Sequence, residues 1–188
     1  MILSAKDIRQ GVKTLALALA DVCPHTFELI GIMDASFMFV ADLCRELHKL
    51  HLFPRVRFIQ VKSYRGTKRG RVKCNFGKLG LKDKFVLVVD TIVDSGETMK
   101  AVLRRIKRES PAFVVVCALV SRVSFMPDVL SDAFYFAHKK EEGVFYVGYG
   151  LDYDGYLREL PRIVSFRAKL LEGSGYETYK NLEIQRRT

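Results

Sequence analysis

The sequence predicts an α/β protein whose mainly parallel, twisted sheet is covered by helices on both faces. The first observation is a set of short apolar runs without polar alternation, as buried parallel strands require. The second is the helical periodicity of the segments that separate these runs. Strands are predicted at 27–33, 56–61, 85–89 and 112–120, with further candidates at 134–137, 144–149 and 163–166. Helices are predicted from the cap at Ser4 to about Cys23, over 37–50, and from about Thr98 to the stop at Ser110.

Composition bounds the class of protein. The chain has 188 residues, of which 49% are hydrophobic, and this length is typical of one domain spanning 1–188. It contains no long apolar run and begins without the basic-then-apolar pattern of a secretory signal, so no contact with a membrane is predicted. The cysteines, at 23, 44, 74 and 117, show no paired spacing. Scattered thiols fit a reducing compartment, which predicts a cytoplasmic protein.

Positive charge is the strongest compositional signal. The formal net charge is +10, which predicts polyanionic ligands without choosing between a diphosphate, a nucleotide and RNA. Nine basic residues lie between Lys62 and Lys84, against the single acid Asp83. Within this basic 62–84 stretch we predict a surface loop over 65–73. We interpret the basic side chains of the stretch as solvated groups that attract small phosphates. RNA binding is the alternative, although aromatic residues that stack on bases are sparse there.

Residues 85–99 combine a buried strand, a short loop and the start of a helix. The apolar run ends at Asp90, and the loop over 94–98 reads DSGET. Backbone N–H groups at the start of a helix point outward and the helix dipole favours negative charge, while hydroxyl groups add donors. This stretch therefore predicts an anion site. The phosphate-binding loop of nucleoside triphosphatases is excluded, because the chain has no GxxxxGK[ST] here.

The same stretch resembles the diphosphate-sugar motif of the type I phosphoribosyltransferases, which holds the 5′-phosphate of phosphoribosyl diphosphate. The residues that match the motif are Asp90, Asp94, Ser95, Gly96 and Thr98. Thr91 does not match, since the family usually has a second acid there. The resemblance implies the fold of that family, a mainly parallel sheet flanked by helices with a small hood.

A second stretch, 145–161, reads FYVGYGLDYDGYLRELP. It resembles the corresponding segment of one branch of the family, the hypoxanthine-guanine phosphoribosyltransferases, and it follows the first motif in the family's order. The resemblance extends over roughly 27–166. It implies a purine-salvage transferase that moves a phosphoribosyl group from phosphoribosyl diphosphate to a 6-oxopurine.

The resemblance implies roles for the residues around the sugar. Asp94 would be the catalytic general base at the purine N7, or would balance charge there. Asp90 and Thr91 would bind ribose. The 5′-phosphate would be bound by Asp94, Ser95, Gly96, Glu97 and Thr98.

Roles at the base and the metal are implied in the same way. Phe145 would stack on the purine, and the backbone near Tyr146 and Leu151 would bind its edge. Asp152 would hold Mg²⁺, directly or through water, and the cation would neutralise the diphosphate.

The diphosphate is implied to pair with Arg158, whose planar guanidinium suits two phosphate oxygens. Ser63 and Tyr64 would close over this group and exclude water. Asp34 departs from the family here, because that position usually holds Lys or Arg, or presents backbone to the diphosphate. A carboxylate beside diphosphate is repulsive.

Further departures concern the sugar and the base. Thr91, in place of an acid, weakens one contact to ribose or to metal-bound water. Ser121 stands where the family has a lysine that donates to the 6-oxo group, a charge-assisted bond worth about 1.5–3 kcal/mol. Arg122 follows directly, but neighbouring side chains on a strand face opposite sides, which argues against simple replacement. The loop 139–143 is longer and more charged than in the family.

The sequence leaves several functions open. One is an active pentosyltransferase with altered base preference. Another is a pseudoenzyme that retains nucleotide and phosphate binding and acts as a regulatory or assembly subunit. A third is an RNA-associated role for the basic 62–84 stretch. Whether the protein is an enzyme is therefore left open, and the relatives imply a homo-oligomer, either a dimer or a tetramer.

Overall fold

Strands and helices alternate through residues 2–63, 72–74, 76–124, 130–141 and 144–166, the part of the chain that the structure, a computed structural model, describes. This alternation confirms the predicted α/β class. The elements are β1 (Ile2–Leu3), α1 (Ala5–Ala20), β2 (Thr26–Met33), α2 (Phe37–Lys49), β3 (Phe53–Ser63), β4 (Val72–Cys74), β5 (Phe85–Val93), α3 (Glu97–Lys107), β6 (Phe113–Ser121), β7 (Ala133–Lys139), β8 (Phe145–Val147) and β9 (Ile163–Phe166).

The main sheet has the strand order β4-β3-β2-β5-β6-β7. Five of its strands pair in parallel, and β4 pairs antiparallel with β3 at one edge. One face buries the apolar stripes of α1 and α2, and the opposite face buries that of α3. Because both faces are covered at the centre of the sheet, the adjacent strands β5 and β6 are mainly apolar. The predicted mainly parallel sheet with helices on both faces is thus confirmed.

A second, antiparallel sheet of order β1-β9-β8 forms a small hood. Residues 145–161, which supplied the second sequence motif, begin with β8 and continue as a series of tight turns. The hood predicted by the family resemblance is confirmed, and it carries this motif to the main sheet.

Several predicted boundaries were wrong. The strand predicted to end at 89 continues to Val93, because its parallel pairing with β6 runs on to Val93 and Ser121. The end of the loop predicted over 65–73 belongs to β4, which pairs with β3. The first helix ends at Ala20 and not near Cys23. Residues 64–71 and those after 166 lie outside the described residues.

The described part of the chain contains no helix that is both long and apolar enough to cross a membrane. The cysteines at 23, 44, 74 and 117 are all free thiols.

Candidate active site

The carboxyl ends of the parallel strands gather the charged residues of the predicted site. Asp34 follows β2, Asp94 follows β5, Arg122 follows β6 and Lys140 follows β7. The chain leaves β2 toward β3 and leaves β5 toward β6, on the opposite side. Ligands of open α/β sheets bind in the crevice at such a point, outside the carboxyl ends of the strands.

A cleft of about 510 Å³ opens at this point. The sequence-predicted residues that line it are Asp90, Asp94, Ser95, Gly96, Thr98, Asp152 and Arg158. Asp34 and Gln60 also line it. The structure therefore brings four predicted features to one cavity. They are the loop predicted to bind the 5′-phosphate, the Asp90 carboxylate predicted to bind ribose, the predicted metal ligand Asp152, and Arg158, which is predicted to bind diphosphate. The predicted residues outside this lining are Thr91, Glu97, Phe145, Tyr146 and Leu151.

The loop after β5 leads into α3, whose N-cap residue has no side chain to cap the helix. Gly96 is the residue before α3 and has a φ of 80°, which turns the backbone into the helix. The first N–H groups of any helix lack partners within the helix. Ser95 Oγ accepts the N–H of Glu97, but at 3.4 Å this hydrogen bond is long. Because the N–H groups at the start of α3 are bound only weakly by the protein itself, the loop is suited to bind a phosphate.

Gly96→Ala is expected to lower the free energy of unfolding by about 1–2 kcal/mol, because a Cβ is strained at this positive φ. The displaced N–H groups would also weaken phosphate binding. Urea unfolding and titration with a purine nucleoside monophosphate would measure the two effects. Gly77→Ala is the control, since a Cβ at Gly77 meets no atom within 4 Å. Equal stability of the two variants would contradict the expectation.

Asp90 and Thr91 are adjacent on β5 and point to different surroundings, as neighbours on a strand do. Asp90 lines the cleft. Burial raises the pKa of Asp90 to about 7, against backbone hydrogen bonds from Thr91 and Ile92 that favour the charged form. Thr91 is fully buried, and its hydroxyl donates to the carbonyl oxygen of Ala35 at 2.8 Å. The geometry therefore favours a role for Thr91 in holding the loop after β2.

Asp94 faces two cations from neighbouring strand ends. Its Oδ1 accepts from Arg122 Nε at 2.7 Å and lies 3.3 Å from Lys140 Nζ. Burial raises the pKa of Asp94, but the bond from Arg122 and the charge of Lys140 outweigh it and hold the pKa below its usual value. Asp94 is therefore ionised throughout the neutral range.

Arg122 reaches Asp94 because β6 ends at Ser121. The alternation of side chains along a strand does not extend beyond that residue, so Arg122 can turn toward Asp94. Whether Arg122 takes the place of the family's lysine is not tested by this contact. The Ser121 hydroxyl is buried and donates to backbone carbonyls, at 2.7 Å to Val123 and 3.3 Å to Val93. Ser121 therefore closes the strand end and carries no charge into the cleft.

Arg158 connects the hood to the loop after β2. Its Nη1 donates to the carbonyl oxygen of Gly150 at 2.6 Å. Its Nη2 lies 3.0 Å from Asp152 Oδ1 and 3.7 Å from Asp34 Oδ2. The guanidinium is thus oriented at the cleft by a carbonyl and two carboxylates.

Gly150 allows the hood to approach that loop. Its φ is 93°, and a Cβ at this position would lie 2.1 Å from the carbonyl oxygen of Ala35. No other residue fits such a contact without displacing backbone. The hood therefore rests directly on the main sheet at the edge of the cleft.

Comparisons with known proteins show the family of the chain. The model of the phosphoribosyl transferase domain matches residues 4–154. The chain belongs to the phosphoribosyltransferase family. The hypoxanthine phosphoribosyltransferase of Escherichia coli K12 is 32% identical over 139 residues, covering 72% of this chain and 75% of that protein. The hypoxanthine-guanine phosphoribosyltransferase of Aquifex aeolicus is 31% identical over 175 residues, covering 87% and 92%.

Solved structures give the same family. The chain is similar to hypoxanthine phosphoribosyltransferase from Trypanosoma cruzi in complex with the product IMP, with a TM-score of 0.74 and 31% identity. The match covers 89% of this chain and 93% of that one. This phosphoribosyltransferase therefore shares the fold of the family.

The base-binding prediction for this phosphoribosyltransferase concerns residues of the hood. Phe145 packs edge-to-face on Tyr153, with 6.2 Å between ring centroids. Tyr146 is buried, and its ring centroid lies 5.4 Å from Lys140 Nζ. Leu151 is buried and forms a bridge to Gly148. Tyr146 thus adjoins the charged cluster at Asp94.

The cleft of this phosphoribosyltransferase contains a carboxylate that would suit a magnesium ion. Asp152 offers carboxylate oxygens at the cleft, and Gly155 N–H donates to its Oδ2 at 2.7 Å. Among the described residues no group of three or more His, Cys, Asp or Glu forms a metal cluster. Mg²⁺ is commonly held by one or two carboxylates together with substrate phosphates, which matches this arrangement.

The mobile-loop prediction has little structural description. Ser63 ends β3, and nothing is described of its side chain, while Tyr64 lies outside the described residues. Lys140 and the contact of Arg122 with Asp94 were missed as site features. Lys140 was noted only as part of a charged loop, and its place beside Asp94 depends on the register of β7 against β6.

Proposed function

We propose that this phosphoribosyltransferase acts in purine salvage, transferring the phosphoribosyl group of phosphoribosyl diphosphate to a 6-oxopurine such as hypoxanthine or guanine. The observation that carries the proposal is one cleft lined by the phosphate loop, by Asp90 and Asp94, and by Asp152 and Arg158 of the hood. The relatives named as hypoxanthine and hypoxanthine-guanine phosphoribosyltransferases support the same acceptor.

The phosphate loop would hold the 5′-phosphate and Asp90 would accept a ribose hydroxyl. The anomeric carbon then lies between the base and the diphosphate. As the purine nitrogen attacks, positive charge develops on the base and its proton must leave. Asp94 is ionised and lies at the base end, so it receives this proton or balances the charge. Its lowered pKa makes it a weak base, which favours charge balance.

The diphosphate end uses the hood. Arg158 would donate to diphosphate oxygens, for which its planar donor set is suited. Mg²⁺ held at Asp152 neutralises the leaving group when bound. Ser63 and Tyr64 would exclude water from the sugar cation.

Asp34→Asn is expected to lower the KM for phosphoribosyl diphosphate by roughly fivefold. Asp34 is half-exposed at the cleft and close to Arg158, and two unit charges at 4 Å in water repel by about 1 kcal/mol. Removing its charge relieves that repulsion and frees the arginine. Steady-state kinetics would measure the change, with Asp21→Asn, at the end of α1, as control. An unchanged or raised KM would contradict the repulsion.

The test of the proposed function is a steady-state assay with phosphoribosyl diphosphate and Mg²⁺. Hypoxanthine, guanine and xanthine serve as acceptors and adenine as the control base. We expect nucleoside monophosphate and diphosphate to form in equal amounts with at least one 6-oxopurine. Absence of turnover with every base, together with retained binding of purine monophosphates, would overturn the proposal in favour of a pseudoenzyme.

The other functions are less well supported. The relatives do not favour a catalytically impaired subunit, and no comparison supports an RNA-associated role. We retain the proposals of a cytoplasmic protein, of one domain over 1–188 and of a homo-oligomer, either a dimer or a tetramer. The match to a T. cruzi phosphoribosyltransferase whose C-terminal region was studied for its oligomeric state is compatible with the last.

A further inference from the structure

Lys140 is a buried lysine beside Asp94, which lines the cleft. Its side chain is 6% exposed. Its backbone N–H donates to the carbonyl oxygen of Ser121 at 2.7 Å, which fixes it as the next position beyond the β6–β7 ladder. Its Nζ lies 3.3 Å from Asp94 Oδ1 and 5.4 Å from the centroid of the Tyr146 ring. The fold therefore places the ammonium group of Lys140 beside Asp94, whereas Lys139, one residue earlier, is exposed to solvent.

Lys140 and Arg122 face the same oxygen of Asp94. An ammonium group has three donors and is costly to bury without acceptors. Among the described residues Asp94 is the carboxylate that Lys140 contacts. A ligand that supplies a further acceptor would therefore be favoured.

The chemistry of the purine supplies that acceptor. N7 and the 6-oxo oxygen lie on the same edge of a 6-oxopurine and are read together by cationic side chains. If Asp94 serves N7, as the proposed function requires, the 6-oxo oxygen lies next to this carboxylate. Lys140 Nζ is within hydrogen-bond range of the same carboxylate. An adenine would present its 6-amino donor to the ammonium, which is unfavourable.

We propose that Lys140 is the specificity-determining residue for the base, donating from its ammonium group to the 6-oxo oxygen of the purine. This inference rests on the proposed function for the identity of the base. It differs from replacement of the family's lysine by Arg122, since the donor follows the neighbouring strand β7.

The test compares ligands that differ only at the 6 position. Lys140→Met removes the ammonium and keeps an apolar stem, Lys140→Arg keeps donors, and Lys139→Met is the matched control. Each is titrated with IMP and with purine riboside 5′-monophosphate, which lacks the 6-oxo group. Steady-state kinetics with hypoxanthine accompany the titrations, and thermal unfolding checks the fold.

Lys140→Met is expected to weaken IMP binding and to lower kcat/KM for hypoxanthine by roughly 10- to 100-fold, the effect of a lost charge-assisted bond. Binding of purine riboside 5′-monophosphate would be nearly unchanged. Lys140→Arg would recover part of the loss, and Lys139→Met would match the wild type.

Equal weakening of both ligands would assign Lys140 a structural role and overturn the inference, as would no effect on either. Higher activity in Lys140→Met would also overturn it, since Lys140 would then restrain Asp94. A wild-type protein that binds IMP without turnover would refute the proposed function alone, because the two titrations still test Lys140. If Lys140→Met does not fold, the same comparison with Lys140→Gln decides.

Discussion

Asp94→Asn is expected to lower kcat with hypoxanthine by about 10²–10⁴-fold, the contribution typical of a positioned acid–base group. The change keeps the shape of the side chain but removes the charge that would balance the purine as its C–N bond forms. It also leaves the cations of Arg122 and Lys140 without their shared carboxylate. Because the phosphate loop is unchanged, binding of IMP should fall much less than kcat.

The pH profile tests the ionisation state of Asp94. Because its pKa is held below the usual value, no titration of Asp94 should appear in wild-type kcat on the acid side of neutrality. In that range Asp90, whose pKa is about 7, is the cleft carboxylate expected to titrate. Asp154→Asn makes the same chemical change at an exposed turn of the hood and is expected to keep nearly full activity. An Asp94→Asn protein with wild-type kcat would show that the group is not part of the reaction.

Asp90→Asn is expected to stabilise the protein at alkaline pH. Asp90 has a pKa raised from 3.8 to about 7 by burial, so between these values the folded state binds more protons than the unfolded state. Stability contributed by the neutral carboxyl is therefore present at low pH and is lost as pH rises toward 7. The shift in pKa corresponds to a loss of at most about 4 kcal/mol in the free energy of unfolding of the wild type as Asp90 ionises. Asp90→Asn avoids this loss, because the amide stays neutral at every pH.

Urea unfolding at pH 5.5 and pH 8 would measure this linkage. The stability of Asp90→Asn relative to wild type should increase by about 2 kcal/mol between the two. Asp83→Asn, at an exposed position with a φ of 57° that Asn tolerates, is the control and should show no such increase. Parallel pH profiles for Asp90→Asn and wild type would contradict the raised pKa. The variant should also lose affinity for phosphoribosyl diphosphate, since its amide replaces a carboxylate that accepts a ribose hydroxyl.

Much of the fold was predictable because burial on both faces leaves a clear record in the strands. The apolar runs that became β2, β5 and β6 were recognised within a few residues, and β9 was predicted with its exact bounds. The extension of β5 to Val93 was not, because Asp90 and Thr91 read as the end of an apolar run. Pairing with β6 outweighs that local polarity. The short strands β1 and β4 depend on partners distant in sequence and leave almost no local signal.

The residue types alone indicated a site only within one loop, whereas Asp152 and Arg158 were predicted only through the family resemblance. The phosphate loop over 94–98 is contiguous, so its residue types and spacing indicated an anion site directly. Asp34, Asp152 and Arg158 meet through packing of the hood on the sheet, and no pattern near Asp34 announces the other two. Lys140 was missed for the same reason, since its position beside Asp94 requires the β6–β7 register.

Residues 34 and 35 contact both the main sheet and the hood, so this short segment connects the two. Thr91 holds the Ala35 carbonyl from the sheet side, Gly150 rests on the same carbonyl from the hood, and Arg158 lies near Asp34. The hood and the cleft floor therefore cannot separate without releasing the same peptide unit. Amide hydrogens near residue 35 and those of the hood turn at 150 would then exchange with solvent in one shared opening event. A ligand bound at the diphosphate end of the cleft would slow hydrogen exchange both near residue 35 and at the hood turn. Binding of the leaving group would thereby be coupled to the conformational order of the residues predicted to contact the base.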